Sequence, residues 1–208
     1  LPILSTITAW LKNPVSETPK PGDSRLCNND YRIIASARQS LEAAARHAQQ
    51  AGFNTLLLGD DISGESREAA CEHAALAWAI AKGSGPVSPP CIILSGGETT
   101  VTVRGDGKGG RNGEYLLALA AELQGAPGIY ALAADTDGID GAGDNAGAVL
   151  SPETWQRARE RGWDILKELE NNNCYPLFRD LKDLLITGPT RTNVNDFRAI
   201  LILPQTTN

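Results

Sequence analysis

The amino-acid sequence predicts an α/β fold in which helices layer over a mixed β-sheet and glycine-rich loops lie at the strand ends. Segments with helical periodicity alternate along the chain with short apolar runs of strand length. Two glycine-rich loops follow such runs directly. Because ligands of such folds bind at strand ends, we expect a binding site at these loops.

The helices are predicted from apolar spacing and from residues that begin or end helices. Gly52 suits the C-cap of the first helix, and Ser63 suits the N-cap of the second. Ser151, Pro152 and Glu153 combine a capping hydroxyl, a proline in the first position and an acid in the first turn. The predicted helices are Asp30–Ala51, Ser63 to about Lys82, Asn112 to about Leu123, and one that begins at Ser151.

The strands are predicted from apolar runs bounded by turn-forming residues. Gly96, Gly97 and Glu98 separate two of these runs, and a short gap with two glycines is typical of a tight hairpin, which makes the sheet mixed. The predicted strands are Thr55–Gly59, Cys91–Ser95, Thr99–Val103, Gly128–Ala134, Leu184–Thr187 and Phe197–Leu203.

A domain boundary is predicted between residues 1–29 and residues 30–208. Residues 1–12 are apolar but isolated, and Asn13–Asn29 has the proline and polar content of an extended linker. The chain contains no methionine, not even at its first position, so we expect that processing or truncation has removed the natural N-terminus. We interpret residues 1–29 as a linker with the remnant of an N-terminal domain, and residues 30–208 as an α/β domain.

Composition excludes several classes of function. A formal net charge of −6 argues against a nucleic-acid binder, which needs a basic surface. No apolar run approaches the roughly 20 residues of a membrane span, and we expect a cytoplasmic protein. The cysteines at positions 27, 71, 91 and 174 show no Cys-x-x-Cys spacing, so buried free thiols are expected instead of a zinc or redox motif.

The first glycine-rich loop, Gly105–Gly110, has the properties of an anion site. Basic residues surround it, and Gly109 and Gly110 directly precede a predicted helix, whose N-terminus favours negative charge. Its glycines also satisfy the dinucleotide pattern G-x-G-x-x-G, although the preceding residues alternate in polarity, unlike a buried Rossmann strand. The third interpretation is a flexible loop with solvated charges.

The second glycine-rich loop, residues 135–144, is acidic and contains no basic residue. Asp135 and Asp137 follow a predicted strand, where carboxylates can hold a divalent cation or a substrate hydroxyl. Asp140 and Asp144 have an equally good interpretation as turn formers. Glu98 is likewise either a turn residue or a partner for a metal or hydroxyl group.

A third polar loop, Thr187–Asp196, and two histidines complete the candidates. The threonines and asparagines of this loop can bind phosphate or substrate oxygens, or cap one another in turns. His73 lies on an apolar helical stripe and is expected in the core, whereas His47 is expected at the surface. Neither histidine supports a nucleophilic triad.

Several motifs occur together in a characteristic order. TPKPGD, SGGETTVTVRG, GGRNGE, DTDGIDG with NAGA, and TGPTRTNVND resemble the MOFRL-containing glycerate 2-kinases, some of which carry the name hydroxypyruvate reductase. The resemblance implies phosphoryl transfer from ATP, with Mg²⁺, to the 2-hydroxyl of D-glycerate, giving 2-phosphoglycerate. The resemblance also implies a longer protein with an N-terminal domain that carries a substrate-binding lysine, and we expect this domain to be missing from the present sequence. The isolated chain is therefore expected to be inactive.

The resemblance and the residue chemistry together define a candidate site. Arg111, Asp135 and Asp137 are the expected catalytic residues, and the two aspartates are the expected metal ligands. The expected partners are glycerate, a nucleotide and the N-terminal domain, and a homodimer is compatible with the sequence. An NAD(P)H-dependent hydroxypyruvate reductase and a non-catalytic binding fragment are the alternative functions. The residues expected to bind the nucleotide are Gly96, Gly97, Glu98, Gly105, Gly107, Lys108, Gly109, Gly110, Asn112, Thr190 and Asn193.

Overall fold

A computed structural model describes residues 4–30 and 32–204, which form two compact units, Leu1–Ile34 and Ala35–Asn208. Residues 1–3 and 205–208 of the predicted domains, and residue 31 of the first predicted helix, lie outside this description. The described part of the first unit contains one α-helix, α1 (Ser5–Leu11), and two short 3₁₀ turns, Pro14–Ser16 and Ser24–Leu26. No helix in residues 4–30 and 32–204 has both the length and the apolar character to cross a bilayer.

The second unit is built on a mixed sheet of six strands in the order β1-β2-β6-β3-β4-β5. Only β1 and β2 are parallel, and β6 inserts antiparallel between β2 and β3. The last strand of the chain therefore lies at the centre of the sheet. The strands are β1 (Asn54–Ile62), β2 (Cys91–Gly97), β3 (Ile129–Asp135), β4 (Gly147–Leu150), β5 (Leu184–Leu185) and β6 (Asp196–Ile202).

Helices cover both faces of this sheet, which confirms the predicted layered α/β class. The larger core lies where α3 and α4 pack on strand residues such as Ile93, Ile129 and Ile200. On the other face, α2 covers Leu94 and Phe197. The helices are α2 (Ala37–Gln50), α3 (Ser66–Ala81), α4 (Arg111–Leu123), α5 (Pro152–Glu160), α6 (Ile165–Glu170) and α7 (Cys174–Leu181).

The predicted hairpin at Gly96 and Gly97 is wrong. Residues 99–103 form no strand and make only an isolated bridge between Thr100 and Glu65. A Cβ at Gly97 would collide with the backbone of Ile62, so this glycine permits close approach to β1 instead of a turn. The sheet is mixed because β1 and β2 pair in parallel, whereas the other strand pairs are antiparallel.

Helix starts were predicted with uneven success. The Ser151 start is confirmed, with a capping box between Ser151 and Thr154. The first helix of the second unit begins later than predicted, after Ser36, whose hydroxyl accepts the N–H of Gln39. Ser63 is not a cap: α3 begins at Ser66, whose buried hydroxyl lies 2.7 Å from that of Thr99.

Core placement of His73 is confirmed, and that of the cysteines only in part. Cys91 and Cys174 are buried, whereas Cys27 and Cys71 are exposed. The imidazole Nδ1 of His73 lies 2.8 Å from the hydroxyl of Tyr115. Burial, reinforced by the charge of Arg198, lowers the pKa of His73 to about 4.

The lowered pKa of His73 predicts that the folded state loses stability in acid. The folded state favours the neutral imidazole. The contribution of His73 to the free energy of unfolding is therefore complete above the ordinary pKa of 6.5 and is lost as the pH falls towards about 4. In urea unfolding between pH 7 and pH 4, His73→Gln should remove a pH-dependent loss on the order of 3 kcal/mol. His47→Gln, at an exposed histidine, should leave the wild-type profile unchanged. Parallel profiles for wild type and His73→Gln would contradict this account.

Candidate functional site

The second unit contains a cavity of about 470 Å³. The segment 99–103, the start of α4, the end of β3 and the acidic second glycine-rich loop (residues 135–144, the aspartate loop) meet at this cavity. Of the predicted site residues, Gly107, Gly109, Gly110, Arg111 and Asp135 line it. The remaining lining residues are Thr99, Thr100, Val101, Val103, Glu114, Ile139, Gly141 and Asn172.

Arg111, the first residue of α4, binds three carboxylates with three different nitrogens. Its Nε lies 2.8 Å from Asp196, its Nη2 lies 2.7 Å from Asp135, and its Nη1 lies 3.0 Å from Glu98. Burial lowers the pKa of Arg111, but the hydrogen bond to Asp196 and the three negative charges outweigh it and raise the pKa above its usual value. The guanidinium is thus held charged and fixed on the cavity wall.

Asp196 and Arg198 form a buried ion pair beneath Arg111 that the sequence analysis missed. The two side chains lie on the same face of β6, 2.6 Å apart, and have 0% and 1% exposure. Asp196 also accepts the side-chain amide of Asn112 at 2.8 Å. The sequence contained a signal for this burial: side chains alternate between the two faces of a strand, which places Arg198 on the same face of β6 as the core residue Ile200.

The N-terminus of α4 is capped by the aspartate loop. Asp140 is buried, and its carboxylate accepts the backbone N–H groups of Asn112 and Gly113 at 3.0 and 2.8 Å. Burial raises the pKa of Asp140, while these hydrogen bonds oppose the shift. The turn-former interpretation of Asp140 is therefore wrong, and the capping carboxylate takes two N–H groups that a bound anion would otherwise use.

Three consecutive asparagines hold the first glycine-rich loop. Asn172 accepts the N–H groups of Arg104 and Gly105, and its amide donates to the buried Glu114. Asn171 and Asn173 accept from Asp106, Gly107 and Lys108. Consequently, the N–H groups of Gly105, Gly107 and Lys108 are not free to cradle a phosphate, contrary to expectation.

The glycines of this loop permit close approach of protein, not only of a ligand. A Cβ at Gly105 or Gly107 would collide with Asn171, and one at Gly109 would collide with the buried thiol of Cys174. Lys108 places its ammonium 4.2 Å from the ring centre of Tyr175. The loop is bound to α7 and to the preceding turn, although its charged side chains at positions 104, 106 and 108 are exposed.

The dinucleotide pattern lacks its structural context. The residues before Gly105 form no strand, so the fingerprint glycines do not lie in a turn between a strand and a helix. Among the loop N–H groups, those of Gly109 and Gly110 make no hydrogen bond within the described residues. These two groups, beside Arg111, are the remaining candidates for anion binding.

Asp135 and Asp137 are held by their own turn and by the third loop. Asp135 accepts the N–H of Asp137 at 3.0 Å, and Asp137 accepts the N–H of Ile139 at 2.8 Å. Burial raises the pKa of Asp135. Within residues 4–30 and 32–204, no three side chains of Asp, Glu, His or Cys are grouped so that they could hold a metal ion.

The other predicted residues have structural partners. Thr190 donates its hydroxyl to the carbonyl of Thr136 at 2.5 Å, and the amide of Asn193 lies 3.3 Å from Asp137. The third loop therefore braces the aspartate loop. Asn112 is fully buried, which places it behind the cavity wall. Gly96 and Gly97 end β2, and Glu98 is exposed beside Arg111.

Comparisons with known proteins identify the family. Residues 91–196 match the MOFRL family, and this chain belongs to it. Over 90% of its length the chain is 47% identical to a putative hydroxypyruvate reductase of Agrobacterium vitis, 42% of which is covered. Over 91% of its length it is 38% identical to the glycerate 2-kinase of Pyrococcus horikoshii, again covering 42%.

A solved structure agrees with this family. The crystal structure of glycerate kinase from Thermotoga maritima superposes with a TM-score of 0.81 at 35% identity, covering 84% of this chain and 42% of that one. The chain thus spans less than half the length of these relatives. The resemblance to MOFRL-containing glycerate 2-kinases is confirmed.

The capping role of Asp140 predicts a specific loss of stability. Asp140→Asn keeps the shape but turns one acceptor into a donor facing backbone N–H groups, so the free energy of unfolding should fall by about 1–2 kcal/mol. Asp106→Asn, which removes the same charge on an exposed loop position, should change it by less than about 0.5 kcal/mol. Equal losses in urea unfolding would show that Asp140 does not cap α4.

Proposed function

We propose that this chain is the C-terminal part of an ATP-dependent glycerate 2-kinase that phosphorylates the 2-hydroxyl of D-glycerate to give 2-phosphoglycerate. The observation that carries the proposal is Arg111, held charged on a cavity wall beside Asp135 and beside the N–H groups of Gly109 and Gly110, which make no hydrogen bond to the described residues. Phosphoryl transfer needs such fixed positive groups, because catalysis consists mostly of positioning and of neutralising charge.

Arg111, Asp135 and the two glycines have complementary roles in the proposed reaction. Arg111 binds the carboxylate of glycerate or an oxygen of the transferring phosphoryl group through its planar fork. Gly109 and Gly110 donate N–H groups to the same anion. Asp135, whose pKa is raised by burial, accepts the proton of the 2-hydroxyl as its oxygen bonds to the γ-phosphorus and the bond from phosphorus to the leaving ADP breaks.

Asp137, with Asp135 beside it, would hold a divalent metal. The described residues offer no complete protein cage, but Mg²⁺ commonly takes only one or two carboxylates and fills its remaining positions with water and phosphate oxygens. The oxygens of Asp137 that accept N–H groups retain lone pairs for a cation. Bound with ATP, Mg²⁺ would neutralise charge on the phosphates.

The names of relatives support two activities, and the site favours one. Glycerate kinases support the kinase, and the Agrobacterium vitis protein supports a hydroxypyruvate reductase by name. The reductase would need a dinucleotide site, and two of the three glycines that match its fingerprint, Gly105 and Gly107, donate their N–H groups to asparagines instead. We therefore propose the kinase.

The test joins this chain to the N-terminal portion of the Agrobacterium vitis relative, because the chain covers 42% of that protein. With D-glycerate, ATP and Mg²⁺, the chimera should form 2-phosphoglycerate, whereas the 208-residue chain alone should not. Oxidation of NAD(P)H by hydroxypyruvate without phosphoryl transfer would establish the reductase instead. A folded chimera with neither activity would favour a non-catalytic fragment.

In an active chimera, Arg111→Lys should reduce kcat/KM by more than about tenfold, or roughly 1.4 kcal/mol of transition-state binding. Lysine keeps the charge but lacks the rigid fork that pairs with the buried carboxylates of Asp135 and Asp196 and with a substrate anion. Arg104→Lys, at an exposed arginine directly before the first glycine-rich loop, is the matched control and should change kcat/KM by less than about twofold. Equal effects of the two substitutions, with unchanged melting temperatures, would remove Arg111 from the reaction.

A further inference from the structure

The three carboxylates on Arg111 differ in how easily they can be displaced. Asp196 has 0% side-chain exposure and Asp135 has 8%, whereas Glu98 has 61%. Displacing either buried carboxylate would leave a charge without its partner in a poorly solvated place, which is strongly unfavourable. An exposed carboxylate that loses its partner is rehydrated at little cost.

The two buried carboxylates are also tied to other groups. Asp196 is bound by Arg198 and Asn112, and Asp135 accepts the N–H of Asp137. Within the described residues, the carboxylate of Glu98 makes no hydrogen bond or ion pair other than that with Arg111. Glu98 is therefore the one partner of Arg111 that can swing away without breaking a second interaction.

The balance of charges around Arg111 also favours replacement of the Glu98 carboxylate by an incoming anion. Arg198 offsets Asp196, and Arg111 itself offsets Asp135, so the carboxylate of Glu98 is the unbalanced negative charge around the guanidinium. An incoming anion that replaces Glu98 keeps this balance and regains the same hydrogen bond. An anion that binds without displacing Glu98 adds a further negative charge and is repelled.

We infer that Glu98 is a built-in competitor that occupies an anion position on Arg111, a residue of the cavity wall, and that a carboxylate or phosphate ligand binds Nη1 of Arg111 by displacing it. Glu98 thereby sets the affinity and selectivity of the site, because only a ligand that outcompetes a tethered carboxylate binds. The inference rests on the proposed function only in taking an oxyanion as the ligand.

The test measures anion binding to the 208-residue chain by calorimetry and by amide NMR, at constant ionic strength. Sodium phosphate and sodium D-glycerate are the two probes, since a phosphoryl group and a carboxylate present the same chemistry to Arg111. Glu98→Gln removes the competing charge and should lower the Kd of at least one probe by about twofold to fivefold. The probe that gains identifies which anion the position accepts.

Two variants separate local exchange from a general charge effect. Glu72→Gln removes one exposed negative charge from α3 and should leave both Kd values unchanged. Adding Arg111→Lys to Glu98→Gln should abolish the gain, because the rigid fork is lost. Glu98→Ala provides a second removal of the carboxylate and should behave as Glu98→Gln does.

Unchanged or weaker binding of both anions in folded Glu98→Gln and Glu98→Ala would overturn the inference. So would an equal gain in Glu72→Gln, or no detectable binding of either anion. Because the readout is binding and not phosphoryl transfer, a chimera without kinase activity would refute the proposed function and leave this result standing.

Discussion

The buried carboxylate of Asp196 is the constraint on which the candidate site depends. It joins Arg198, at the centre of the sheet, to Arg111 on the cavity wall, with distances of 2.6 and 2.8 Å. A buried charge must be paired, so the position of one guanidinium determines that of the other. Because β6 lies between β2 and β3, this link ties the first turn of α4 to the middle of the sheet.

Hydrogen bonds from distant side chains fix the loops around this link. Asp140 caps α4 from the aspartate loop, and Asn172 holds the first glycine-rich loop while donating to the buried Glu114. Among the residues that the structure describes, the N–H groups of Gly109 and Gly110 in this loop make no hydrogen bond, and they adjoin Arg111. Arg111 is thus held rigidly on the cavity wall by two buried carboxylates and has one exposed carboxylate partner, that of Glu98.

Local patterns in the sequence predicted those parts of the fold that depend on neighbouring residues. The start at Ser151 and the core position of His73 follow from spacing within one helix. The hydrogen bonds from Asn171, Asn172 and Asn173 to the first glycine-rich loop and Arg104 connect positions that are 65 to 68 residues apart in the sequence. No local sequence pattern carries that information. The glycines of the first loop were informative but ambiguous, because close approach of a ligand and close approach of Asn171 require the same residue.

A double-mutant cycle on Asp196 and Arg198 tests the central claim most directly. Asp196→Asn alone should lower the free energy of unfolding by about 3 kcal/mol or more, because it strands the charge of Arg198, two of whose nitrogens already lack partners among the described residues. Adding Arg198→Met should recover part of this loss. The free energy of unfolding of the double variant should therefore exceed the value expected from adding the two single effects by at least about 1 kcal/mol. Additivity within about 0.5 kcal/mol would show that the buried pair does not hold the site together.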